Sequence, residues 1–201
     1  MKLVRCTVKQ VDLLTRTIMR AFRKDPFYEY VLSSPANRKK GDRALFRYMV
    51  RLGVLYGRTE AVSGKCEAAA VWFPSTGVPG SAWYQRRAGV LRARLYLGRE
   101  IMARYERINV QVFSLQEKLA PFPHWYLFLL AVDPDRQGEG LGRRLLESGL
   151  FGLDAISMPC YLETFRGDTA EMYEKFGFRT LEERCLSEEG LKVFCMIRHP
   201  Q

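Results

Sequence analysis

The spacing of apolar residues in this 201-residue chain changes repeatedly, and each change marks an element. Residues 2–8 alternate as a strand does. From Val11 to Lys24 the apolar positions Leu14, Ile18, Met19 and Phe22 fall at helical steps, and Asp25-Pro26 predicts a stop. Phe27, Tyr28 and Tyr30 follow at once. Asn37 to Tyr56 predicts a second helix with Leu45, Phe46, Met49, Leu52 and Leu55 on its inner face. A hairpin comes next, Arg58–Ser63 and Lys65–Phe73 joined near Gly64, closed by Pro74-Ser75-Thr76-Gly77. Residues 81–120 return to a helical period, with Leu91, Leu95, Ile101, Met102, Tyr105 and Ile108 at three- and four-residue steps. This predicts one long or two shorter helices, with Gly89 and Gly98 as candidate breaks. His124 to Val132 is almost continuously apolar, which suits a strand buried on both faces. A helix over Leu141–Leu153, a strand over Cys160–Thr164 and a helix over 169–176 follow. Arg179–Leu186 and Leu191–Ile197 form a last pair of strands around Ser187-Glu188-Glu189-Gly190. With no repeat and no low-complexity linker, the pattern predicts a single α/β domain over residues 1–201 with a helical insert at about 81–120.

Between the strand at 124–132 and the helix at 141 the chain runs Asp133-Pro134-Asp135-Arg136-Gln137-Gly138-Glu139-Gly140-Leu141-Gly142-Arg143-Arg144. Glycines at alternate positions permit positive φ and close backbone approach. The first N–H groups of the following helix lack partners and sit at its positive dipole end, so the turn suits an anion, above all a phosphate. No Gly-Lys-Ser/Thr follows, which excludes a Walker loop. The G-x-G-x-G spacing also departs from the dinucleotide fingerprint.

What fits is Gln-x-x-Gly-x-Gly at Gln137, Gly140 and Gly142, which resembles the acyl-CoA loop of the GNAT superfamily of N-acetyltransferases. Downstream, Cys160-Tyr161-Leu162-Glu163-Thr164 and then Tyr173-Glu174-Lys175-Phe176-Gly177-Phe178 resemble that family's strand, helix and aromatic-Gly-aromatic exit. Residues 124–198, with Ala70-Val71-Trp72-Phe73-Pro74 and Val193-Phe194-Cys195-Met196, look like the puromycin N-acetyltransferase branch. The resemblance implies an α+β GNAT fold, a mixed central sheet with flanking helices. It also implies acetyl-CoA as acyl donor and direct transfer to a primary amine in a ternary complex. A small-molecule amine is the first expectation, a protein lysine or N-terminus the second.

By the same resemblance, Leu130, Ala131 and Val132 present backbone groups along pantetheine, and Gln137, Gly138, Glu139, Gly140, Leu141, Gly142 and Arg143 cradle the pyrophosphate. Leu130–Val132 serve equally as core, and Arg143 and Arg144 equally as surface charge. Tyr173 is the implied general acid; a phenol near pKa 10 is protonated at neutral pH. Its bland role is packing. Glu163 is the leading base, since burial raises a carboxyl toward neutrality. It would otherwise anchor the amine or face solvent. His124 competes for the base role. The family's asparagine four residues before the tyrosine is replaced by Thr169, whose shorter reach weakens an expected pantetheine contact. Tyr126 and Phe128 stand where some members carry an acid. Asp12, Asp25, Glu29 and the Phe27-Tyr28-Tyr30 cluster are candidates for an acceptor pocket, against a helix-end packing role.

Composition narrows the rest. Nearly half the chain is apolar, and no run reaches bilayer length. The start lacks a signal-peptide stretch. Cys6, Cys66, Cys160, Cys185 and Cys195 form no C-x-x-C pair, so neither a disulfide scaffold nor a metal site is expected, and a cytoplasmic setting is. A formal charge of +10 suits polyanions, coenzyme A or nucleic acid. The arginine-rich 81–120 segment reads first as a solvated basic face over a packed apolar one. A non-catalytic CoA-binding protein and a nucleic-acid-binding module remain the alternatives, no membrane partner is expected, and a homodimer is compatible with every reading.

Overall fold

The computed structural model describes residues 2–33, 38–62, 64–76, 82–187 and 190–201. The expected helix start at Asn37, Ser63 of the hairpin, Gly77, Ser81 and the Glu188-Glu189 turn lie outside the described residues. The strands are β1 (Leu3–Arg5), β2 (Arg58–Val62), β3 (Ala68–Pro74), β4 (Trp125–Val132), β5 (Cys160–Thr164), β6 (Arg179–Cys185) and β7 (Lys192–Arg198). The helices are α1 (Val11–Ala21), α2 (Pro26–Val31), α3 (Arg38–Tyr56), α4 (Ala82–Ala88), α5 (Val90–Leu119), α6 (Leu141–Asp154) and α7 (Gly167–Glu174). One sheet holds all seven strands in the order β1-β2-β3-β4-β5-β7-β6. Every neighbouring pair is antiparallel except β4 and β5.

Local chemistry moves several expected boundaries. β1 stops at Arg5 because Thr7 caps a 3-10 turn, and the Gln10 side chain accepts from the Thr7 N–H at 2.9 Å. Asp25-Pro26 ends α1 but also starts α2, which the sequence reading left as loose aromatics. Asp25 Oδ1 accepts from the amides of Phe27 and Tyr28 at 3.0 and 3.4 Å, and proline stands in the first turn, where its missing N–H costs nothing. α7 begins at Gly167, two residues before the expected start. In the insert, Gly89 takes φ 105° between α4 and α5, and α5 breaks at Gly98 (φ 79°, ψ 174°), so both candidate breaks are real. Leu91 and Leu95 are solvent-exposed, contrary to the inner face assigned to them. Val90, Ala93 and Leu97 occupy the buried positions ahead of the kink instead.

The two faces of the sheet carry separate cores. Val71, Phe73, Tyr126, Tyr161, Cys195 and Ile197 pack under α1, α3 and α5. Trp72, Leu127, Leu162 and Met196 pack under α6 and α7. β3 pairs with β4 through Val71–Leu129 and Trp72–Leu127, which leaves Phe128 as an extra residue. That bulge reverses the in–out phase of β4. Tyr126 faces the first core and Leu127 the second, whereas beyond the bulge Leu129 and Ala131 face the first and Leu130 and Val132 the second. α6 lies close on the sheet at Gly149, where a Cβ would stand 2.3 Å from Trp72 Cζ2. Arg198, almost fully buried, binds Asp154 through two hydrogen bonds of 2.6 and 2.8 Å and donates to the Phe176 carbonyl at 3.0 Å, tying β7, α6 and the end of α7 together.

Candidate active site

β4 and β5 pair only through Trp125–Cys160 and Tyr126–Tyr161. Beyond Tyr126 the facing edges part. A cavity of about 910 Å³ fills the gap and is lined from both cores: by Phe27, Tyr28 and Tyr126 on one face and by Leu130, Met172 and Tyr173 on the other. It therefore passes through the sheet. This corrects the expectation of a strand buried on both faces: Phe128, Leu130 and Val132 are only half-buried, because they border the gap.

At one end lies the glycine turn. Asp133 Oδ1 accepts from the Asp135 amide at 3.1 Å and shapes the entry. Gly138 and Gly140 adopt φ of 84° and 75°, left-handed values that strain any other residue. Gly142 begins the first turn of α6, where a Cβ would stand 3.1 Å from Val132 Cγ2. Gln137 Nε2 donates to the Val132 carbonyl at 3.4 Å. Arg136 grips Glu139 with hydrogen bonds of 2.6 and 2.7 Å and reaches Glu67 at 2.6 Å, which neutralises the acid between the two left-handed glycines. Of the residues expected at the cofactor, Leu130, Ala131, Val132, Gln137, Gly142, Arg143 and Thr169 border the cavity. Gly138, Glu139 and Gly140 build the turn without bordering it, and Leu141 is buried in the core. Arg143 is held by Glu147 at 2.8 Å on an exposed helix face.

The sequence reading missed the basic frame. Arg20, Arg23 and Lys24 at the end of α1, and Arg166 after β5, border the same cavity. Arg20 also donates to Asp133 at 3.1 Å and Asp135 at 2.8 Å, fixing α1 against the turn. Arg20 in the last turn of α1 and Arg23 and Lys24 in the turn that follows bring three cations together within five residues, a signal available from the sequence. An acyl-CoA fits these residues: unpaired helix amides, a glycine turn permitting close approach, and cations around a cavity long enough to cross the sheet.

Tyr173 borders the cavity from the α7 side, packed edge-on to Phe178 at 5.5 Å, and burial pushes its phenol above the ordinary value. Glu163 borders it from the other face. Its stem is half-buried, while both carboxylate oxygens are buried without a partner at hydrogen-bond geometry. Burial raises it to about 8, against the opposing pull of the nearby Tyr126 and Tyr161 phenols. Asp25, also in the wall, is raised to about 6 by burial, offset by its two amide donors and by Arg166.

His124 is a correction. It lies outside this cavity, buried, with Nδ1 2.7 Å from the Phe122 carbonyl and Nε2 2.9 Å from Gln116 Nε2. The carbonyl requires Nδ1–H, so Nε2 accepts from the amide and the ring is spent. Burial lowers its pKa further. Phe27, Tyr28 and Asp25 border the cavity as an acceptor pocket requires. Asp12 is paired with Arg43 and Arg47, and Tyr30 lies under the Arg104 guanidinium.

Together the parted strands, the glycine turn and the through-sheet cavity define the class as a GNAT-fold protein. Residues 97–180 match the sequence model of the acetyltransferase (GNAT) domain. The solved histone acetyltransferase HPA2 and related acetyltransferase of Corynebacterium glutamicum has a similar fold (TM-score 0.70, 20% identity, covering 100% of this chain and 96% of that one). So has the Drosophila melanogaster polyamine N-acetyltransferase that forms N-acetylagmatine (TM-score 0.63, 16% identity, covering 98% and 100%). A curated relative, the mycothiol acetyltransferase of Propionibacterium freudenreichii, is 38% identical over 61 residues, 28% of this chain and only 19% of that protein.

Proposed function

We propose that this protein transfers an acetyl group from acetyl-CoA to a primary amine of a small molecule, directly, within a ternary complex. The observation that carries the reading is one cavity through the sheet, with an anion-binding glycine turn at one end and a buried carboxylate, with no cation to pair it, beside two phenols on the opposite face. When bound, acetyl-CoA supplies an activated acyl thioester. The turn amides and the basic frame hold its diphosphate. The unpaired edge of β4 at Leu130–Val132 aligns the pantetheine arm. Glu163 would accept a proton from the incoming ammonium; as the C–N bond forms and the C–S bond breaks, the Tyr173 hydroxyl would donate a proton to the departing sulfur, and the second proton lost by the nitrogen would restore the phenol. A small amine is supported by the puromycin N-acetyltransferase resemblance over residues 124–198 and by the polyamine N-acetyltransferase among the structural neighbours. The scattered, unpaired thiols favour a cytoplasmic setting.

The test is a calorimetric titration with acetyl-CoA, on the natural chain and on Gly140→Arg. The natural chain should bind saturably. The variant, strained at φ 75° and carrying its side chain toward the diphosphate, should not. Equal binding by both would remove the turn from the site.

A further inference from the structure

A second cavity, of about 920 Å³, lies between β3, β4 and the insert helices α4 and α5. Four side chains border both cavities: Tyr105 and Asn109 on α5, and Tyr126 and Phe128 on β4. The two spaces thus share a wall, and Tyr126 stands in it beside Glu163. Their charges are opposite in kind. The first is framed by five cations, of which Arg20, Arg143 and Arg166 are ion-paired, alongside the acids Asp25, Glu163 and Asp168. Among the described residues that line the second, the only charged groups are Glu106, itself paired with Arg94 at 2.7 Å, and Glu117, in a chain of formal charge +10. Most of its other walls are apolar or aromatic, interrupted by the uncharged polar Ser75, Thr76, Asn109 and Gln116, and three of the apolar ones, Val110, Phe113 and Phe122, are exposed by 64, 36 and 37% at its mouth. Exposed apolar side chains gathered around a concavity mark a ligand site rather than random surface.

From this we infer that the second cavity receives the body of the acceptor, a primary amine on an apolar, anion-free framework, and delivers its nitrogen past Tyr126 to Glu163. The two substrates then enter by separate doors, the polyanion through the basic mouth and the cationic amine through the acidic one. An acceptor carrying a carboxylate beside its amine meets no cation in the second cavity to offset its desolvation. The inference rests on the acetyltransferase reading and extends it to acceptor class.

The experiment compares phenethylamine with phenylalanine, which differ by one carboxylate, following thiol release from acetyl-CoA and calorimetric binding of each to the CoA-saturated protein. Phenethylamine should be favoured by at least about tenfold in kcat/KM or in Kd. Val110→Arg places a cation at an exposed rim position. It should raise the KM or Kd for phenethylamine about tenfold while acetyl-CoA affinity stays within about twofold, with Val110→Leu unchanged. Equal or better use of phenylalanine, no effect of Val110→Arg, or failure of phenethylamine both to bind and to react would overturn the inference. Failure of acetyl-CoA to bind the natural chain would instead overturn the acetyltransferase reading.

Discussion

Glu163 is a buried acid whose ionisation the fold resists. Held near 8 in the folded chain against 4.5 ordinarily, it binds a proton more tightly in the native state, so its contribution to stability is fully present below about pH 4.5 and is lost as pH rises toward 8. The slope is about 1.4 kcal/mol per pH unit across that window at most. Glu163→Gln should flatten this decline in denaturant titrations. Under the proposed mechanism the same pKa governs activity: kcat/KM should climb through a limb centred near 8 and lose that limb in Glu163→Gln. A limb that persists unshifted assigns the proton to another group. Tyr173 behaves differently, since burial keeps its phenol protonated throughout the working range. Tyr173→Phe should lower kcat by about 10²–10⁴ with acetyl-CoA affinity nearly unchanged, and an unaltered rate would strip Tyr173 of the acid role.

Among the elements, legibility followed locality. The glycine turn, the strand before it and the helix after it were readable because their determinants are adjacent: an Asp-Pro lead-in, residues needing positive φ, then a leucine-rich face. α2 was not, because Asp25-Pro26 reads equally as an end and as a beginning until the cap hydrogen bonds are seen. Nor were the exposed Leu91 and Leu95, since helical spacing says which residues share a face but not which face turns inward across a break. Arg20 illustrates the long-range part: its partners Asp133 and Asp135 are more than a hundred positions away. Gly98 offers a test at this scale. Its φ of 79° with ψ of 174° is a glycine region with open space around it, so Gly98→Ala should cost about 1–3 kcal/mol through backbone strain alone. A loss well under that range in chemical denaturation would mean the break in α5 is not required.

Over the whole molecule, charge is sorted rather than spread. Arg20, Arg23, Lys24, Arg143 and Arg166 frame the cavity that ends at the anion-binding turn, and the acids of the turn are neutralised, Glu139 by Arg136 and Asp133 and Asp135 by Arg20. Acetyl-CoA binding should therefore weaken steadily between low and high salt, mainly through its association rate, as expected for steering of a polyanion into a basic mouth. Stopped-flow binding at several ionic strengths reads this directly, and a salt-independent association rate would place the diphosphate elsewhere.

The extra residue at Phe128 has a consequence for how such a protein can vary. Every side chain of β4 is assigned to one face of the sheet or the other by counting from that point. Removing or adding a single position there would swap the faces for half the strand at one stroke, leaving its composition almost untouched. Such a scaffold is thus free to exchange side chains along the strand, while changing its length is closed.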